Sequence, residues 1–90
     1  MKHAGPAALA RLDDLLTPLR RYRALVEKRP GVFYRRGRAF LHFHEDPAGL
    51  FADIRPDDAW IRLPVNEAAE QALLLATVDR VLNDASGPSD

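Results

Sequence analysis

Arg38-Ala-Phe-Leu-His-Phe-His-Glu-Asp-Pro-Ala-Gly-Leu-Phe-Ala-Asp-Ile-Arg55 is the stretch that decides how this chain folds. It divides into two alternating runs, Arg38–Glu45 and Leu50–Arg55, around the turn-forming Asp46-Pro47-Ala48-Gly49. Side chains alternate along a strand, so Leu41 and Phe43 take one face of the first run and Phe40, His42 and His44 the other. In the second run Leu50, Ala52 and Ile54 oppose Phe51, Asp53 and Arg55. A four-residue connection lets both apolar sets fall on one side. That register pairs Leu41 with Ile54 and Phe43 with Ala52, and places His42 beside Asp53.

Outward from this hairpin the same logic continues. Pro56-Asp57-Asp58 closes the second run, and Trp60–Val65 follows with Ile61, Leu63 and Val65 inward and Trp60 and Arg62 outward. Ile54 then lies beside Ile61, Asp53 beside Arg62, and Arg55 beside both Phe40 and Trp60. Before the hairpin, Val32–Arg35 reads as another strand, joined through Arg36-Gly37, with Val32 and Tyr34 inward and Phe33 and Arg35 outward. Short connections between successive strands specify an antiparallel meander.

Helices flank the strands. From Pro6, apolar residues recur at three- and four-residue steps (Ala8, Leu9, Leu12, Leu15, Leu16, Leu19, Tyr22, Val26). Thr17-Pro18 has the chemistry of a helix start, so the segment reads as one kinked helix or two short ones, about 7–16 and 18–27. Lys28-Arg29-Pro30-Gly31 stops it. Asn66 is placed to cap a helix of about 67–84, whose inward stripe is Leu74, Leu75, Val78, Val81 and Leu82, with Gln71, Thr77 and Arg80 outward. Residues 1–5 read as frayed and 85–90 as a flexible tail. The expected fold is a single α+β domain over residues 1–90, ordered over about 6–84. It is a two-layer sandwich in which a four-stranded antiparallel meander carries the N- and C-terminal helices on one face, in the order α-β-β-β-β-α.

Composition narrows the function classes. The chain has 90 residues and no cysteine, which excludes a disulfide framework, a thiolate nucleophile and a cysteine zinc site. No apolar run has membrane-spanning length, and the charged N-terminus does not read as a signal peptide, so cytoplasm is the expected compartment. The formal net charge of +0 hides an asymmetry. Residues 20–38 hold eight basic residues against Glu27, and residues 39–90 hold three arginines against ten acids. The halves neutralise each other when packed together. The basic 20–38 segment is also a candidate surface for an anion or for weak nucleic-acid binding. The near-neutral pI and the lack of a nucleic-acid motif argue against the latter.

The face opposite the helices gathers the side chains that have chemistry. Phe33, Phe40, Phe51 and Trp60 make it unusually aromatic for a wet face, the composition of a contact surface. His42 and His44, two residues apart on one strand, project side by side and with Asp53 form a two-histidine, one-carboxylate set suited to a divalent metal. Alternatively, Asp53 orients His42 as a general base, with Arg55 or Arg62 holding an anionic substrate. The plainer alternative is a structural polar network in which Asp53 pairs with Arg62 and His44 faces water. Arg55 beside Trp60 is either a stiffening cation–π contact or an anchor for a partner. No hydroxyl residue sits in a nucleophile motif, and the glycines lie singly in turns without a phosphate loop.

The run Arg29–Arg55, followed by Arg62-Leu-Pro-Val-Asn66, carries the patterns Pro-Gly-x-Phe-Tyr, Phe-Leu-His-Phe-His-Glu-Asp and Gly-Leu-Phe-Ala-Asp. It resembles a group of short, uncharacterised bacterial αβ proteins, over roughly residues 25–82. It is faintly similar to the bacterial "luciferase domain" family, which has a short His-x-His strand before a glycine turn, and to the YjbR-like proteins, which share a small αβ layout. The resemblance implies the fold and flags His42, His44 and Asp53. The YjbR-like link points toward DNA, although no DNA-contact motif of that group maps onto this chain. None of these links implies a reaction.

Together these readings favour a bacterial, non-enzymatic binding or interaction domain. Its contact surface is the open face bearing Phe40, His42, His44, Phe51, Asp53, Arg55, Trp60 and Arg62. Its partner is a second copy, another protein or a small molecule. The rival is a metal-dependent or acid–base enzyme centred on His42, His44 and Asp53, with a divalent metal as the sole cofactor.

Overall fold

The computed structural model describes residues 1–85 as an α+β chain built on one antiparallel sheet. In chain order the elements are β1 (Lys2–His3), α1 (Pro6–Arg11), α2 (Asp13–Leu19), β2 (Val26–Arg29), β3 (Val32–Arg35), β4 (Arg38–Asp46), β5 (Gly49–Ile54), β6 (Ile61–Pro64) and α3 (Ala68–Ala85). The sheet runs β2-β3-β4-β5-β6, and β1 adds to β4. The β4–β5–β6 register is the expected one: Leu41 opposite Ile54, His42 opposite Asp53, Phe43 opposite Ala52, Asp53 opposite Arg62 and Ile54 opposite Ile61. Leu41, Phe43, Ala52 and Ile54 join Leu12, Leu15, Leu16 and Leu19 of the first helices and Leu74 and Val78 of α3 in one core.

The first third of the chain departs from the expectation. Residues 1–5 are not frayed, because Lys2 and His3 pair with Glu45 and His44. The Ala4 amide donates to the Phe43 carbonyl at 3.0 Å, and the Gly5 amide to Glu45 Oε2 at 2.6 Å. The helical break falls at buried Leu12, not at Thr17; nothing in the sequence at Leu12 marks it. Thr17 and Pro18 lie inside α2. There the Thr17 hydroxyl donates back to the Asp13 carbonyl at 2.9 Å, and proline in the last turn sacrifices a single backbone bond. The expected helix over 18–27 is absent. Val26–Arg29 is instead a strand, and Pro30-Gly31 is a two-residue hairpin turn joining it to β3. Pro-Gly ends a helix or turns a hairpin equally well, so local chemistry alone does not choose. The expected four strands are therefore six.

Two aromatic side chains also change sides. Phe33 pairs with Leu41 and is 1% exposed in the core; Val32 is buried as expected, at 7% exposure, but lies across from His42 outside the main core cluster, and Tyr34 is only half-buried. The register between β3 and β4 slips by one residue between Phe33/Leu41 and Tyr34/Ala39. Phe40 is the unpaired extra residue, and this bulge lets it join the core beside Leu41 at 3% exposure. Phe33 and Phe40 therefore leave the open face.

At the other end, α3 carries the expected stripe: Leu74 and Val78 are fully buried, and Leu75, Val81 and Leu82 pack against the core. Thr77, expected outward, is buried and donates to the Leu73 carbonyl. Asn66 does not cap the helix with its side chain. Its amide grips both backbone groups of Leu50, accepting from the N–H at 2.8 Å and donating to the carbonyl at 3.2 Å. Glu70 reaches back to the amides of Asn66 and Glu67 instead. Gly49 is required beside this clamp. Its φ is +137°, and a Cβ there would lie 2.7 Å from Asn66 Oδ1. Of the expected tail 85–90, Ala85 closes α3, and 86–90 lie outside the described residues. No described helix is long and apolar enough to cross a membrane.

Candidate functional site

On the face of β4 and β5 turned away from the helical core, the register places His42, His44, Phe51 and Asp53 together, with Arg62 and Trp60 added by β6 and its approach. The strand that sequence patterning missed adds His3, which pairs with His44. β1 reaches β4 beyond the last residue paired with β3, so the two short strands share that edge of β4. Its entry is fixed by the Ala4 and Gly5 hydrogen bonds described above.

The three imidazoles form one cluster. His3 stacks on His44 with ring centroids 5.0 Å apart and lies 5.5 Å from His42. His42 Nδ1 and His44 Nε2 are 2.9 Å apart, hydrogen-bond distance. One ligand atom from each of His3, His42 and His44 lies within 4.8 Å of the others. Trp60 closes over His42 edge-on at 4.6 Å, and the Arg55 guanidinium sits 4.8 Å above the Trp60 ring while donating to the Ala39 carbonyl. The expected Arg55–Trp60 neighbour pair is thus a cation–π contact, and Trp60 remains 41% exposed.

Asp53 is the buried anion of the site. Arg62 grips both its oxygens, Nε to Oδ1 at 2.8 Å and Nη2 to Oδ2 at 2.9 Å. These hydrogen bonds hold its carboxyl below the usual carboxylate range. Oδ2 also lies 3.2 Å from His44 Nε2. Although His42 is the residue directly across from Asp53, the carboxylate contacts the diagonal neighbour His44, as cross-strand side chains within reach of i, j±2 do. The arrangement with Asp53 orienting His42 is therefore replaced by one in which Asp53 orients His44.

Protons follow from these contacts. Burial lowers the affinity of His42 for a proton, reinforced by His44 and opposed by Asp53. Burial likewise holds His44 below the usual imidazole range, against Asp53. The neutral forms, those that ligate metals, are thereby favoured. A carboxylate beside His44 Nε2 favours a proton on that nitrogen, which leaves the lone pair on Nδ1. His44 Nδ1 is buried and has no hydrogen-bond partner; the nearby Lys2 backbone favours the charged ring without meeting hydrogen-bond geometry. A buried nitrogen without a partner is an exception that asks for an explanation, and a bound ligand is one.

Zinc–nitrogen bonds of 2.0–2.1 Å put tetrahedral ligand atoms about 3.3 Å apart, so the cluster must close by at most about 1.5 Å to hold an ion. Among the described residues, His3, His42 and His44 are the metal-capable set, and Asp53 stands behind His44 as its carboxylate partner. Of the other expected contact residues, Phe51 is half-buried opposite His44, while Phe40 lies in the core. His3 carried no periodic signal. A two-residue strand has no pattern to read, and only its pairing to β4 gives it meaning.

No family model, no curated protein and no solved structure matches this chain.

Proposed function

We propose that this chain is a small binding domain whose open sheet face holds a divalent transition-metal ion through His3, His42 and His44. The observation that carries the reading is the convergence of three imidazole donors within 4.8 Å, two from one strand and one from a separate strand. Imidazole suits zinc, nickel or copper, and a three-histidine set leaves the remaining coordination positions to water or a ligand. Asp53 behind His44 supplies the carboxylate–histidine pairing that fixes a ligand ring, and Arg62 keeps that carboxylate ionised. The exposed Trp60 and the Arg55 head stacked on it form one wall, available to whatever occupies the open positions.

Zinc and nickel titrations followed by thermal melting test this. Saturating metal raises Tm, since a ligand that binds only the folded state stabilises by mass action. His42→Ala abolishes the rise. A wild-type Tm unmoved by either metal contradicts the proposal.

Self-association across the same face is the second reading, favoured by the exposure of Trp60 at 41%. It expects a dimer by light scattering that Trp60→Ala converts to monomer with the fold intact. A wild type that stays monomeric at high concentration removes it.

A further inference from the structure

A second cluster lies apart from the imidazoles. The β3–β4 turn, the end of β5 and α3 border a half-open cavity of about 630 Å³. Five arginines line it, Arg35, Arg36 and Arg38 from the hairpin, Arg55 just past β5 and Arg80 from α3, against three aspartates. The volume is that of a small-ligand pocket.

The aspartates do not neutralise the arginines. The one ion pair between them, Arg38 to Asp58, is 3.8 Å long, with side chains 62% and 95% exposed, a geometry of little worth. Arg55 is committed to the Ala39 carbonyl and the Trp60 ring. Arg35, Arg36 and Arg80 have no carboxylate partner among the described residues. Arg35 is half-buried, with its guanidinium 5.6 Å from the Phe40 ring. Burial makes its charge harder to keep, and the neighbouring Arg36 adds to this.

The backbone adds to the tension. Arg36 and Gly37 form a two-residue hairpin turn with φ of +54° and +78°. That left-handed pair favours asparagine or glycine at its first position, and an arginine there is strained. Arginine at this position puts a third cation at the rim instead of a relaxed turn.

We infer that this cavity binds the phosphoryl group of a small anionic ligand. Unpaired arginines from the hairpin and from α3 match an oxyanion with several oxygens, each able to accept from a separate guanidinium. A planar carboxylate is satisfied by one guanidinium fork and leaves the others unmet. The inference does not depend on the metal reading, since no imidazole lines the cavity.

Calorimetric titration of pyrophosphate into metal-free protein at fixed ionic strength tests it, with acetate as the single-carboxylate control. The expected result is saturable pyrophosphate binding, acetate weaker, and a loss of about tenfold or more in affinity in both Arg35→Gln and Arg80→Gln, as for deletion of a charged hydrogen bond. Should Arg35→Gln fail to fold by circular dichroism, Arg80→Gln, at an exposed helix position, decides. No saturable binding, acetate as tight as pyrophosphate, or arginine variants that bind like wild type would each overturn the inference.

Discussion

The two faces of β4 and β5 are made of residues that alternate one by one, yet they obey different physics. Leu41, Phe43, Ala52 and Ile54 vanish under the helices, each at 1% exposure or less. Between them in sequence, His42, His44 and Asp53 sit on a face covered by His3, Trp60 and Arg62. The first face is stabilised by area removed from water, which is nondirectional and tolerant of shape. The second depends on directed contacts and keeps a buried nitrogen without a partner. Stability and candidate chemistry are here separated by one residue of register. A slip that exposed the leucines would bury the imidazoles.

The largest effect that probes this division is on the core side. Phe33→Ala should cost about 3–5 kcal/mol, because it empties a fully buried site. For a domain of this size Tm falls by more than 10 °C. A cost near that of an exposed position would return Phe33 to the open face and break the comparison. Next comes the opposite behaviour. His3→Ala should leave metal-free stability nearly unchanged, since His3 is exposed, while weakening zinc binding by about 100-fold, or ~2.7 kcal/mol. Equal zinc affinity in the variant, measured by competition with a chelator, would take the third ligand away. Asp53→Asn tests the positioning carboxylate and should weaken zinc by about tenfold, the range of lost ligand-orienting partners.

The smallest effect lies outside both faces and calibrates them. Glu27 accepts from Arg20 Nε at 2.7 Å and from the Gly31 amide at 2.9 Å, and the Arg20 hydrogen bonds hold its carboxyl below the usual range. The folded state thus binds this proton less readily than the unfolded chain. Its contribution is full above the ordinary carboxylate range and is lost as pH falls through the lowered folded value. The Tm gap between wild type and Glu27→Gln should be constant above about pH 5 and close in more acidic buffer. Because Arg20 is 42% exposed, the gap should be small throughout. A gap that widens in acid contradicts the assignment.

What the sequence made legible follows the same division. Where apolar and polar residues alternate over six or more positions, as from Arg38 to Ile54, period and turn length together fix the register, and His42, Asp53 and Arg62 fell into place. Where strands are short, that information is missing. Val26–Arg29 is a continuation of helical spacing when read alone, and only pairing with β3 makes it a strand. Strict alternation puts Phe40 on the open face, and a bulge breaks that alternation without a glycine to announce it. Asn66 has the chemistry of a helix cap, but a neighbouring strand offered its amide two backbone partners at once. His3 is the residue least legible from sequence. Its role comes wholly from a tertiary contact forty-one residues away in sequence, between His3 and His44.

Anomalous diffraction at the zinc edge, from crystals grown with one equivalent of zinc, decides whether the three imidazoles bind a metal. The expected map has one strong peak bonded to a nitrogen of each of His3, His42 and His44 at about 2.0–2.1 Å, with Asp53 against His44. A map with no peak among the three rings, or with zinc held only by carboxylates elsewhere on the surface, would contradict it.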